Sequence, residues 1–172
     1  ATATYNTLTF SDHDAQIPLK WTVKSKAVLR IDKVVSDRTE VSKGQSGLPL
    51  SVHISNLGDS DCLIDYASPT FVIGQYTFTI VSPADGKLTI PGNSTGIATF
   101  AVSISKNSES GSDTIGANAS ATNLLSGERV EIAGTDNPHL WMIQNPASLI
   151  LNEVIASATV FRGQKNNPII LR

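Results

Sequence analysis

Residues 98–104 read Ala-Thr-Phe-Ala-Val-Ser-Ile, in which apolar side chains alternate with small or polar ones. The same alternation recurs at 50–54, 76–80 and 115–121. Successive side chains of a β-strand point to opposite faces, so this pattern predicts strands with one buried face. No long stretch of the chain has the apolar period of about 3.6 residues that indicates an amphipathic helix.

Further short strands are expected around 29–31, 62–66 and 130–132, which gives seven or eight in all. Turn sequences such as 56–59 and 82–86 separate them at intervals of roughly 8 to 15 residues. This spacing predicts an all-β chain folded as an antiparallel β-sandwich. The small residues of 115–121 indicate a place where the sheets approach closely, or where the ring of Phe78 or Phe100 fills the opposite side.

Composition excludes several classes of protein. The 172 residues carry a formal net charge of −2, so there is no basic excess to neutralise nucleic-acid phosphates or an anionic membrane surface. Hydrophobic residues make up 40% and charged residues 16%, the opposite of a disordered chain. The single cysteine excludes an internal disulfide and a multi-cysteine zinc site. No apolar run approaches the ~18 residues of a membrane helix, so no membrane insertion is expected.

The chain repeats itself at a constant offset. The stretch from Trp21 to Leu29 matches the stretch from Trp141 to Leu149, an offset of 120 residues. After one deleted residue the offset becomes 119, and Gly44-Gln45 then matches Gly163-Gln164. The matching residues are of the kinds that fix structure, namely Trp, Gly, Pro and apolar residues. Agreement of these types at one offset predicts a structural repeat.

The repeat divides the chain into three parts. Residues 1–26 are expected to be the last strand and linker of a preceding copy, and 27–146 one complete copy. Residues 147–172 are expected to be the first strands of a following copy. The chain is therefore predicted to be a window on a tandem array. An alternative is that both ends pack on the central domain as extra strands.

Several short motifs in the central copy occur in a characteristic order: 41–45 (Val-Ser-Lys-Gly-Gln), 90–94 (Ile-Pro-Gly-Asn-Ser), 111–117 and 136–141. In that order they resemble bacterial immunoglobulin-like repeats of the CARDB type (cell-adhesion-related domain in bacteria). The resemblance covers the central copy and both partial copies, and departs from the family pattern at 61–70. It implies an immunoglobulin-like sandwich of about seven strands, repeated along a large surface or secreted protein, and it does not imply an enzyme.

The tryptophan motif has the most informative position. Trp21 and Trp141 each precede the start of a copy by about six residues, and follow Pro18 and Pro138. A large ring near a boundary can pack against the next domain and fix the angle between neighbours, so these four residues are predicted to pack at the domain junctions. The alternative is that each Trp caps the core of its own domain. Because the linkers at 24–26 and 144–146 are short, a semi-rigid rod is expected.

Two acidic pairs are the candidates for a ligand site. Asp59 and Asp61 lie in a turn, and Asp12 and Asp14 lie near a domain junction. Closely spaced carboxylates in loops can offer several oxygens to Ca²⁺. Asp113, which is expected in a turn, and Asp136, beside the tryptophan motif, would add to them. Ordinary solvated turn residues are the alternative. Apart from this calcium candidate, no metal or cofactor is expected.

The chain shows no catalytic motif. His13, His53 and His139 do not recur between copies, so none is predicted to belong to a repeat-wide metal site. No Gly-x-Ser-x-Gly elbow is present. Cys62 lies in an expected strand without a local partner, and is predicted to be a buried, inert thiol. We therefore expect no enzyme.

Three functions fit these features. The first is a non-catalytic structural or adhesion repeat in a semi-rigid stalk or fibre of an extracellular bacterial surface protein, with neighbouring repeats as partners. The second is a filament subunit that assembles head to tail with copies of the same chain through exchanged strands. The third is an accessory module of a secreted enzyme that binds surface carbohydrate or protein. For sugar stacking, that third function has only the aromatic residues Tyr5, Tyr66, Tyr76 and Phe161.

Overall fold

The computed structural model describes residues 9–10, 19–156 and 158–172. The regular secondary structure of these residues consists of β-strands. The prediction of an all-β chain is confirmed. None of the described residues form a helix with the length and apolarity that a membrane crossing requires. In chain order the strands are β1 (Thr9–Phe10), β2 (Leu19–Lys20), β3 (Leu29–Val35), β4 (Glu40–Ser42), β5 (Leu48–Asn56), β6 (Cys62–Phe71), β7 (Tyr76–Ser82), β8 (Leu88–Ile90), β9 (Ser94–Ile104), β10 (Gly111–Asn123), β11 (Arg129–Ala133), β12 (His139–Gln144), β13 (Val154–Ile155) and β14 (Ile170–Leu171).

The strands from β3 to β12 form two sheets that pack face to face. We call this unit the central sandwich. One sheet has the antiparallel order β3-β5-β9-β7. The other has the order β4-β12-β10-β6-β8, and β11 also pairs with β10. Only the short β4 runs parallel to its neighbour β12. The predicted immunoglobulin-like sandwich is therefore confirmed, with β1–β2 and β13–β14 as separate two-stranded sheets.

The central sandwich has more strands than the expected number of about seven. Three of those from β3 to β12 were not expected: β4, β8 and β12. β4 and β8 have three residues each and lie at sheet edges, so they are too short to show a period-two pattern. β12 does alternate, because Trp141 and Ile143 are buried and their neighbours are exposed.

The core lies between the sheets, and alternation along the strands supplies it. Ile115, Ala117, Ala119 and Ala121 of β10 are all buried, as their spacing predicts. Phe100 of β9 is also buried, whereas Phe78 on the edge strand β7 is partly exposed. Their rings meet edge to face with centroids 5.9 Å apart, a favourable aromatic geometry. Of these two rings, Phe100 is the one that is buried in the core.

Candidate functional site at the domain junctions

The segment before the central sandwich is held to it by a carboxylate. The backbone N–H and the hydroxyl of Ser25 both donate to Asp59 Oδ2, the former at 3.2 Å. The other oxygen of Asp59 accepts a bond from Asn93 Nδ2 at 3.0 Å. Lys26 Nζ lies 3.1 Å from Glu128 Oε1, an exposed ion pair that adds little by itself. We call the hydrogen-bonded group of Ser25, Asp59, Ser60 and Asn93 the linker clamp.

Backbone contacts complete the linker clamp. The N–H and the hydroxyl of Ser60 both donate to the carbonyl of Ser25, at 3.1 and 2.7 Å. Gly58 permits this approach, since a Cβ there would lie 2.0 Å from the carbonyl oxygen of Lys26. Gly92 likewise lets the loop between β8 and β9 approach Asp59, because a Cβ at Gly92 would lie 2.2 Å from the carbonyl oxygen of Asp59. The linker path is therefore fixed before the core begins at Ala27.

The buried side chain of Asn56 supports the loop that forms the linker clamp. Its Oδ1 accepts bonds from the N–H groups of Val28 and Gly58, at 3.3 and 3.1 Å. Its Nδ2 donates to the carbonyl of Ser60 at 2.8 Å. This buried amide therefore ties the end of β5 to the start of β3 and to the loop that follows β5. The sequence signal was the Asn56-x-Gly58 motif, interpreted only as a turn.

The two tryptophans occupy different environments. Trp141 has no exposed surface, belongs to the core cluster, and donates from Nε1 to the carbonyl of Arg38 at 2.9 Å. Trp141 therefore serves the core of its own sandwich. Trp21 is 62% exposed, and Pro138 is an exposed residue just before β12. Pro18 lies outside the described residues, and the junction role of the motif stays a prediction.

The described acidic candidates for calcium take part in hydrogen bonds or ion pairs within the protein. Asp59 holds the linker clamp, and Asp61 Oδ1 accepts the N–H of Gly92 at 3.0 Å. Asp136 lies 3.5 Å from Arg30 in an exposed ion pair. Among the residues that the structure describes, no three His, Cys, Asp or Glu side chains are grouped to hold a metal. Asp12 and Asp14 lie outside those residues, so a calcium site there stays a prediction.

The buried residue Asp113 of β10 forms a polar centre that sequence reasoning placed in a turn. Its carboxylate accepts the N–H groups of Val72 and Ile73, at 2.9 and 3.0 Å, and the hydroxyl of Tyr76. Burial raises the pKa of Tyr76, and the hydrogen bond and negative charge of Asp113 raise it further. The ring of Phe71 stacks on Tyr76 with centroids 3.9 Å apart. This centre fixes the segment that crosses from one sheet to the other, and it is structural.

The remaining candidate side chains that the structure describes do not form a metal-binding group. His53 lies on β5, where burial and the charge of Lys33 lower its pKa. His139 Nε2 lies 2.7 Å from the carbonyl oxygen of Arg38. Cys62 is buried, as expected, and burial raises its pKa. His13 lies outside the described residues.

The described aromatic candidates for sugar stacking occupy different environments. Tyr66 is exposed in a shallow groove beside Arg129 and Glu131. Phe161 is also exposed, but it belongs to the segment after the central sandwich. The hydroxyl of Tyr76 donates a hydrogen bond to Asp113, and Tyr5 lies outside the described residues.

The segment after the central sandwich repeats the strand pairing of its beginning. In the sandwich, β3 and β5 pair Val34 with Val52 and Val35 with Ser51. In the following segment, β13 and β14 pair Val154 with Leu171 and Ile155 with Ile170. These partners are related by the offsets found in the sequence. The register of the first hairpin therefore recurs.

The turn between those strands also recurs. Gly44 and Gly47 have φ values of 77° and 70°, and their counterparts Gly163 and Asn166 have 86° and 62°. Asn is among the residues that tolerate this left-handed conformation, which explains the replacement of Gly47. Gln45 Oε1 accepts the N–H of Ser42 at 2.9 Å, and the equivalent bond from Phe161 to Gln164 measures 3.0 Å.

The two hairpins differ in burial. Leu29, Ile31 and Val34 are 8%, 1% and 3% exposed in the core. Their counterparts Leu149, Leu151 and Val154 are 98%, 59% and 56% exposed. Large apolar side chains exposed together at a chain segment indicate an interaction surface. We call the exposed apolar residues whose counterparts are buried in the central sandwich the C-terminal apolar face: Leu149, Leu151, Val154, Val160, Ile169 and Leu171.

No family model matches the chain, and no curated protein matches it in sequence. It is similar to solved β-sandwich structures at a distance. PapD-like domain 7 of human CEP192 is 10% identical with a TM-score of 0.38, covering 73% of this chain and 87% of that one. The seventh ScaB type I cohesin from Pseudobacteroides cellulosolvens is 10% identical with a TM-score of 0.34, covering 70% and 97%. The secreted serine protease VesC from Vibrio cholerae is 12% identical with a TM-score of 0.39, covering 77% and 28%. Likenesses at this level give no family and no function.

Proposed function

We propose that this chain is a non-catalytic structural module, in which copies of one β-sandwich follow each other in a semi-rigid stalk or fibre. The observation that supports this proposal most directly is the recurrence of the β3–β5 register in β13–β14. A second copy that begins with the same pairing and the same turn is the expected product of a tandem repeat. Stacked repeats of this kind contact mainly their neighbours and extend in one dimension.

The linker clamp supplies the stiffness that a stalk needs. A linker that is bound through Asp59 and Ser60 leaves little freedom between the end of one copy and the core of the next. The corresponding segment after β12 runs from Asn145 through Pro146 into Ala147, the counterpart of Ala27. We propose that each copy holds the linker before it, which sets a regular spacing along the rod.

The resemblance of the motifs at 41–45, 90–94 and 136–141 to CARDB repeats supports an extracellular place on a bacterial surface protein. The low charged fraction of 16% and the many Ser and Thr residues agree with that place. Adhesion to a host surface or to carbohydrate would then belong to other parts of such a protein.

A filament built by exchanged strands is the second candidate function, and the C-terminal apolar face favours it. An unpaired strand edge with apolar side chains is a template for strand addition. The tandem arrangement also accounts for the recurrence of the β3–β5 register and turn in β13–β14, so we favour the stalk. Light scattering over a wide concentration range distinguishes them, because the filament requires mass that grows with concentration.

The proposed location is tested by labelling intact, unpermeabilised cells of the source organism with antibodies against residues 27–146. We expect surface labelling that external protease removes. A cytoplasmic protein labelled in parallel controls for cell integrity. Labelling that appears only after permeabilisation would contradict the proposed extracellular stalk.

A further inference from the structure

The central sandwich shows how the counterparts of the C-terminal apolar face are covered. The inner face of β3 contacts β10, β11 and β12 of the opposite sheet. The outer edge of β5 pairs with β9, where Leu50 lies opposite Phe100 and Val52 opposite Ala98. Both kinds of cover are therefore made by strands that follow β5 in the same copy.

The hairpin β13–β14 lacks both kinds of cover among the described residues. It forms a sheet of two strands, and Leu149, Leu151 and Val154 remain exposed. A two-stranded sheet is only marginally stable alone in water, and needs further strands or a packing partner. Its strand register and turn geometry match those of β3 and β5, the strands with which the central sandwich begins.

We propose that the C-terminal apolar face is the first part of a second sandwich, and that its occupant is a further copy of the strands in residues 54–146. A strand equivalent to β9 would pair with β14, with Ile169 opposite the equivalent of Phe100 and Leu171 opposite the equivalent of Ala98. Strands equivalent to β10 and β12 would cover Leu151 and Val154. This inference rests on the tandem arrangement in the proposed function and names the partner of its second copy.

A grafted chain tests the proposal directly. Arg172 is the counterpart of His53, so residues 54–146 are appended directly after Arg172 in the full-length chain. We expect the amides of 149–171 to exchange with solvent about 100-fold or more slowly than in the parent chain, because cooperative units that open rarely protect their amides. The central sandwich of the same molecule serves as the internal control for folding.

A matched pair of substitutions in the grafted chain gives the decisive comparison. Leu151 is the counterpart of the buried Ile31, whereas Ile150 is the counterpart of the exposed Arg30. Leu151→Asp should abolish protection of 149–171 and Ile150→Asp should preserve it, and both should leave the central sandwich protected. Equal behaviour of the two variants would overturn the proposal. So would rapid exchange of 149–171 in the graft while the central sandwich stays protected. Surface labelling can fail independently of this result, since it reports location only.

Discussion

Replacement of Asp59 by Ala should release the linker from the central sandwich. The substitution removes the acceptor for the N–H and the hydroxyl of Ser25, and for Asn93 Nδ2. The bonds from Ser60 to the carbonyl of Ser25 remain, so the linker is loosened rather than displaced. The hydrophobic core begins at Ala27 and does not include Asp59, so this substitution leaves the core unchanged.

The magnitude follows from the kind of bond that is lost. Hydrogen bonds to a charged group contribute about 1.5–3 kcal/mol each when well buried, and less in an exposed site. The bonds to Asp59 are exposed and act together, so we expect local opening of the linker to become easier by about 1–2 kcal/mol in total. That corresponds to a change of about 5- to 30-fold in the opening equilibrium.

Hydrogen exchange of the Ser25 amide, followed by NMR, measures this opening. Asp85→Ala is the matched control, because Asp85 accepts one backbone N–H in an exposed turn between β7 and β8. We expect faster exchange at Ser25 in Asp59→Ala and unchanged exchange there in Asp85→Ala. If the Ser25 amide exchanged equally fast in Asp59→Ala and in the parent chain, the linker clamp would not hold the linker, and the reasoning would be refuted.

Two further predictions concern the sandwich itself. Trp141→Ala should lower the free energy of unfolding by about 3–5 kcal/mol, because a fully buried ring is removed. Trp21→Ala should change it by about 0.5 kcal/mol or less in this chain, since that ring is largely exposed. Urea denaturation measures both, and similar losses would refute the assignment. The pKa of Tyr76 is raised in the folded state, so the unfolded chain loses this proton at a lower pH than the folded protein does. The stability that Tyr76 contributes should therefore be fully present below the ordinary tyrosine pKa of about 10 and should fall as the pH rises beyond it. Tyr76→Phe should weaken that fall between about pH 10 and 12; an equally steep fall in both chains would contradict it.

Period-two alternation predicted the fold class because it reports directly which face of a strand is buried. The pattern at 98–104 and 115–121 predicted two of the central strands, β9 and β10, and their buried residues. β4 and β8 were missed because three residues are too few to show a period, and they form only where a neighbouring strand offers an edge. Edge strands depend on tertiary pairing, which a local pattern does not contain.

The junction contacts were partly predictable. The motif Asn56-x-Gly58 indicated a turn, but the sequence does not show that Gly58 packs against the carbonyl of Lys26. Asp59 was a calcium candidate because closely spaced carboxylates suit Ca²⁺, whereas the structure directs it to Ser25, a residue 34 positions away. Asp113 was expected in a turn, and its burial with Tyr76 depends on the crossing of the two sheets. Long-range partners of this kind follow from topology and not from spacing.

The central claim is that this sandwich is one copy in an array within a longer protein. The mass of the native polypeptide that contains this sequence, taken from its source and measured under denaturing conditions, tests it most directly. The stalk predicts a mass many times the 18.2 kDa of the present chain. A native mass near 18.2 kDa would contradict the array. Exchange of strands between separate chains would then explain the C-terminal apolar face.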